Sequence, residues 1–208
     1  NSRIAFRDIL TIVPSLDQIN PFAANPDAVV YLDTRISGRL SSLNIPRLKL
    51  SGIGQTVVDM RGNIRGLPDA AHANYDLDIR ELQSTARDIR SFVPAGTIPA
   101  NINLPETISL SGKVKGSQQN FAAKINVKSS MGVAFVDAQM DRRIKNQETY
   151  KADVRLDQFD LGRLISNDSI GIVSLSTQIQ GRGLDPKTAD AKLKAILKEA
   201  EFNRYKYR

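Results

Sequence analysis

The sequence predicts a mainly-β protein of repeated antiparallel strands with a few short helices, its turn spacing suiting a sandwich, a barrel or a longer meander. Three observations carry this. Apolar and polar residues alternate with period two in segment after segment. Turn residues separate those segments at hairpin spacing. Glycines recur on the apolar side of the alternation, where an ordinary strand places larger side chains. The 208 residues suffice for one large all-β unit or two small ones. With 41% hydrophobic and 25% charged residues, the chain belongs with folded proteins and not with disordered or membrane-spanning ones.

Residues 1–27 read as a helical or loop lead-in, with helical apolar spacing from Ala5 to Ile12 before Pro14. Residues 28–208 read as one continuous run of antiparallel strands. In the first strand Val30, Leu32, Thr34, Ile36, Gly38 and Leu40 share a face, while Tyr31, Asp33, Arg35, Ser37 and Arg39 share the other. Val58, Met60 and Ile64 repeat the pattern, and Leu77 and Ile79 supply a hairpin partner across the turn residues Gly66-Leu67-Pro68-Asp69. Then come Leu110 with Val114, Ile125 with Val127 beyond a Ser117 to Asn120 turn, and Val136 with Met140. Val154 with Leu156, and Val173, Leu175 and Ile179, continue the series, for about ten strands in all. These apolar positions are the expected inner face of the sheet. Short helices are predicted at Ser84 to Phe92 and Leu161 to Ile165. Lys187 to Tyr207 fits both periods. Leu193, Ile196, Leu197 and Ala200 make a helical stripe, Ala189 to Leu197 a strand face, and the surrounding strands favour the second.

Gly38, Gly62, Gly66, Gly112, Gly116, Gly181 and Gly183 punctuate the strands. Glycine weakens a strand, so its repeated use predicts bulges, sharp curling, or close approach of another backbone or a ligand. These words are not phosphate loops, because no helix follows and the spacing misses both nucleotide fingerprints.

Catalytic chemistry finds little material. Cysteine is absent, which removes disulfides, thiolate metal sites and thiol nucleophiles. His72 is the single histidine and has no nucleophile motif beside it. Asp76 and Asp78 share a strand face about 7 Å apart, yet Arg80 beside them marks an ordinary solvated face. No catalytic residue, metal or cofactor is expected. The net charge of +7 favours anionic partners such as phospholipid headgroups, although the basic residues are spread along the chain. Without interleaved exposed aromatics, nucleic acid is not an expected partner. No apolar run reaches the ~20 residues of a transmembrane helix. The absent initiator methionine and the alternating Tyr205-Lys206-Tyr207-Arg208 lead to the expectation of a fragment of a longer protein.

Specific wording adds to the periodicity. Ile64-Arg65-Gly66-Leu67-Pro68, Tyr75-Asp76-Leu77-Asp78-Ile79 and Leu104-Pro105-Glu106-Thr107-Ile108-Ser109-Leu110-Ser111-Gly112-Lys113-Val114-Lys115-Gly116 resemble the AsmA-like and TamB-type envelope proteins, in their Bacteroidota versions. So do Phe159-Asp160-Leu161-Gly162-Arg163-Leu164-Ile165, Gly171-Ile172-Val173-Ser174-Leu175 and Gly181-Arg182-Gly183-Leu184-Asp185-Pro186. The resemblance covers the chain from about Ala28 onward and lacks the family's N-terminal membrane helix and its barrel-engaging C-terminal domain. It implies a long curled antiparallel β-sheet forming a groove lined by the apolar positions above, in a non-enzymatic periplasmic segment that is anchored to the inner membrane elsewhere and carries phospholipid between the two membranes. An alternative it also implies is an assembly scaffold for outer-membrane proteins working with a BamA-like barrel. A closed β-sandwich adhesion or sugar-binding module is the unrelated alternative.

Overall fold

A computed structural model of the chain describes residues 2–5, 7–8, 11, 28–69, 72–93, 96, 98–145, 147–184 and 189–207. Twelve strands form one antiparallel sheet, and spatial order follows chain order throughout. They are β1 (Ser2–Ala5), β2 (Val29–Arg39), β3 (Ser42–Ile53), β4 (Thr56–Arg65), β5 (Asn74–Thr85) and β6 (Thr107–Gly116). The series continues with β7 (Asn120–Ser129), β8 (Gly132–Asp141), β9 (Thr149–Asp160), β10 (Ile170–Arg182), β11 (Asp190–Phe202) and β12 (Tyr205–Tyr207). Among the described residues two complete helices interrupt it, α1 (Ala86–Phe92) and α2 (Leu161–Ile165). The first and last strands do not pair, so the sheet is open and not a barrel. Among the described residues no second sheet packs on it, so they form no two-layer sandwich.

Most elements stand where the alternation puts them, and the departures have physical causes. β3 escapes a period-two reading because Pro46 lies inside it and a bulge between Ile45 and Leu48 shifts the phase. The lead-in contains a strand, since Ser2–Ala5 pairs with Val29–Leu32, and four residues are too few to display a period. Ala5, the expected start of the lead-in helix, instead ends β1 and pairs with Val29. Arg7, Asp8 and Thr11 are helical, and positions 6, 9, 10 and 12 lie outside the described residues. Ser84 remains in β5, and α1 begins after Thr85, whose hydroxyl accepts from the Asp88 amide at 3.2 Å. The stretch with two periods is strand. β11 pairs with β10 from Arg182↔Asp190 to Ile170↔Phe202, and that ladder outweighs the helical preference of its Ala, Leu and Lys residues.

Bulges and left-handed glycines bend this sheet. Register shifts occur in the pairings of β2 to β6 and of β9 to β11, each adding local twist to the strand that carries it. Gly38, Gly66, Gly112, Gly116 and Gly183 have positive φ, whereas Gly62 and Gly181 do not and instead lie under Leu77 and Tyr150. Gly112 is the clearest case. At mid-strand with φ of 148°, it is placed so that any Cβ would collide with the Lys124 carbonyl of β7.

Both helices sit at one end of the sheet and tie its turns down. The buried Asp88 of α1 accepts from the Gln55 amide at 2.9 Å and from Thr56 Oγ1 at 3.4 Å, closing α1 onto the β3–β4 turn. α2 is held by the Asn103 amide donating to Leu164 O at 2.8 Å and by Arg163 to Glu106 at 2.7 Å. Beneath it lies a buried cluster of Met131, Ala134 and Phe159, packed by Val127, Leu156 and Leu164.

Candidate functional site

Antiparallel neighbours directly opposite one another project to the same side of a sheet, so the registers can be followed across it as transverse rows. One row runs Leu32, Leu50, Val58, Leu82, Leu110, Val127, Ala134, Leu156, Leu175, Leu197. Two residues along the strands, the next runs Thr34, Leu48, Met60, Ile79, Gly112, Ile125, Val136, Val154, Thr177, Ala195. A third runs Ile45, Gly62, Leu77, Val114, Ala123, Ala138, Ala152, Ile179, Leu193. The fourth runs Gly38, Leu43, Ile64, Tyr75, Gly116, Phe121, Met140, Tyr150, Gly181, Ala191. None of the four contains a charged residue. Their two threonines turn inward on the backbone, Thr34 donating to Arg47 O at 3.0 Å and Thr177 to Lys194 O at 3.2 Å.

Between β2 and β11 the rows extend about 43 Å at ~4.8 Å per strand, and the four together are about 20 Å wide. Most of their side chains are half-buried, flanked by neighbours in the sheet and, among the described residues, not covered by a second layer. At the β11 end they are open, with Leu193 67% and Leu197 57% exposed.

The opposite face carries the charges, and several of them pair across the strands, although Arg35 lies opposite Arg47 and Lys113 opposite Lys124. Lys49 meets Asp59 at 3.0 Å, Arg61 meets Asp78 at 2.6 Å, Lys124 meets Asp137 at 2.9 Å and Lys115 meets Asp76 at 3.4 Å, while Arg47 pairs with Asp33. The hydrogen bond from Arg61 holds the Asp78 carboxyl below its ordinary pKa. Asp76 and Asp78 are thus each engaged by a basic residue of a neighbouring strand. His72 Nδ1 lies 2.7 Å from Asp69 Oδ2, an exposed pair local to the β4–β5 loop.

Of the expected groove-facing residues, Leu32, Val58, Met60, Ile64, Leu77, Ile79, Leu110, Val114, Ile125, Val127, Val136, Met140, Val154, Leu156, Leu175 and Ile179 fall in the four rows. Val30 and Val173 are buried near the helix-bearing end, at 3% and 4% exposure. Ile36 stands at the bulge of the β2–β3 pairing and is exposed. Leu40 is a correction, because it lies in the tight turn closed by Arg39 and Ser42 and not in a strand. Alternation alone misses Leu43, Ile45, Leu48 and Leu50 on β3, and also Leu82, which lies past the bulge between Ile79 and Leu82.

No known protein-family model matches the chain. Neither a curated protein nor a solved structure shows significant similarity to it. Its chemistry is therefore read from the face itself. The face is broad and uncharged, mostly aliphatic with the hydroxyls of Thr34, Thr177, Tyr75 and Tyr150 within it.

Proposed function

We propose that this chain is a non-enzymatic segment of a periplasmic groove of the AsmA-like, TamB type, carrying phospholipid between inner and outer membrane, with its membrane anchor in a segment outside these residues. The observation that carries the proposal is the set of four uncharged rows running across the strands. A leaflet's worth of hydrocarbon is about 15 Å deep, half of a ~30 Å bilayer core, so one acyl chain laid along a row spans about three strands. Each methylene covered contributes ~0.8 kcal/mol. Because the rows repeat similar side chains from strand to strand, displacement by one strand exchanges one apolar contact for another, which suits transport better than tight storage. The glycines in the rows lower its floor locally.

Photo-crosslinking amino acids at Ile64, Val114 and Ile179 test this in cells. They are expected to capture phospholipid, whereas probes at Lys124 or Gln178 on the opposite face are not. Equal capture from both faces, or none from the rows, would refute it.

A second reading is an assembly scaffold acting with a BamA-like barrel. The open ladder of β11 supports it, since a sheet edge is a template for an incoming strand. Cross-links to outer-membrane proteins with none to lipid would favour that reading.

A further inference from the structure

The end of the sheet away from the helices is a rim of five connections, joining β2 to β3, β4 to β5, β6 to β7, β8 to β9 and β10 to β11. Three of them hold an aliphatic side chain out in the open, with Leu40 59%, Ile144 61% and Leu184 47% exposed. One exposed leucine on a surface needs no explanation. These three, however, share a setting, because each follows arginine: Arg39-Leu40, Arg142-Arg143-Ile144-Lys145 and Arg182-Gly183-Leu184. Arg65-Gly66-Leu67 repeats the order in the β4–β5 loop with Leu67 half-buried, and the β6–β7 turn, Ser117 to Asn120, is polar. Among the described residues Arg39, Arg65, Arg142 and Lys145 have no carboxylate partner. The rim's own carboxylates are engaged, Asp141 by Arg143 and Asp69 by His72, while Arg182 lies opposite Asp190.

The helix-bearing end treats its connections differently. Met131 in the β7–β8 turn is buried, and Leu104, Leu161 and Leu164 are half-buried. Phe202 and Tyr205 are exposed there, but they stand opposite each other across the last hairpin. On the bare rim, successive connections lie two strands apart, about 10 Å at ~4.8 Å per strand, so the rim from Leu40 to Leu184 measures about 38 Å along the sheet. Apolar points spaced in this way, with polar turns between them, build no continuous core for a protein interface. A bilayer surface takes each point separately, since an aliphatic tip can enter the boundary between headgroups and acyl chains while the basic residues beside it meet lipid phosphates.

We infer that this rim docks on a bilayer surface carrying anionic phospholipid, with Leu40, Ile144 and Leu184 entering it and Arg39, Arg65, Arg142 and Lys145 held against its phosphates. The inference does not rest on the cargo proposed above, because it uses the turns and not the apolar rows.

The chain has no tryptophan, so Leu40→Trp, Ile144→Trp, Gln55→Trp and Val136→Trp each report on one place. With vesicles of phosphatidylcholine and phosphatidylglycerol in equal parts, emission is expected to shift to the blue at positions 40 and 144 and to stay unchanged at position 55, in the β3–β4 turn of the other end. The double variant R142Q/K145Q, its sheet checked by circular dichroism, is expected to bind these vesicles about 30-fold more weakly. Vesicles of phosphatidylcholine alone are expected to leave the tips unshifted. No shift at the tips, an equal shift at position 55, or unchanged binding by R142Q/K145Q would overturn the inference. So would a shift at position 136 without one at the tips, because that would put the bilayer on the apolar face.

Discussion

Val136→Asp separates an open apolar face from a dry interior. Val136 stands mid-row on β8 between Ile125 and Val154 and is half-buried. Burying a valine completely is worth about 1.5–3 kcal/mol, so losing half of that costs about 1 kcal/mol. The poorer strand propensity of aspartate adds up to about 1 kcal/mol. On an open face the carboxylate stays hydrated, and the total is about 1–2 kcal/mol. Under a second layer it would be an unpaired buried charge, with several kcal/mol more to lose. Phe159→Ala provides the internal ruler, because Phe159 is only 6% exposed within the Met131 cluster, and such truncations cost about 3–5 kcal/mol. Urea unfolding followed by far-UV circular dichroism compares the two. With a slope of about 2 kcal/mol/M, the midpoint is expected to fall by about 0.5–1 M for Val136→Asp and about 1.5–2.5 M for Phe159→Ala. The same carboxylate is expected to keep about two methylenes of a bound acyl chain in water, about 1.6 kcal/mol or ~15-fold in co-purified lipid. If Val136→Asp destabilises as much as Phe159→Ala, the face is a sealed core and the groove reading fails.

Two further outcomes follow from the polar contacts. Asp88→Ala removes the acceptor for the Gln55 amide and Thr56 Oγ1. It is expected to cost about 1–3 kcal/mol and to speed hydrogen exchange at Gln55, and unchanged exchange there would count against α1 as the clamp on that turn. Hydrogen bonds from the Arg143 guanidinium and amide hold the Asp141 carboxyl down at about 2. With the folded value below the unfolded one, the pair's support for the β8–β9 loop is present above the ordinary aspartate range. It is lost as pH falls toward 2. A carbon-detected NMR titration is expected to place the Asp141 midpoint near 2 and, in Arg143→Gln, closer to the usual value. Identical midpoints in both proteins would contradict the pairing.

The sequence by itself determined the strands whose alternation is unbroken, including β2, β6, β7 and β8, and it determined which of their faces is uncharged. Alternation is local, because successive Cβ atoms point to opposite sides whatever lies next door. It also placed α2, and it located the glycines that bend the sheet. Only the tertiary structure decided what depends on neighbours. Bulges at Ile45 to Leu48 and at Ile79 to Leu82 reverse the phase inside a strand, so the apolar side of β3 and the place of Leu82 emerge only when β4 and β6 lie alongside. Asp190–Phe202 carries both periods, and the ladder offered by β10 made it a strand. Whether an apolar face is core or groove is likewise absent from the alternation, since both produce the same pattern. That question turns on what covers the rows, and among the described residues the strands lie in one open sheet.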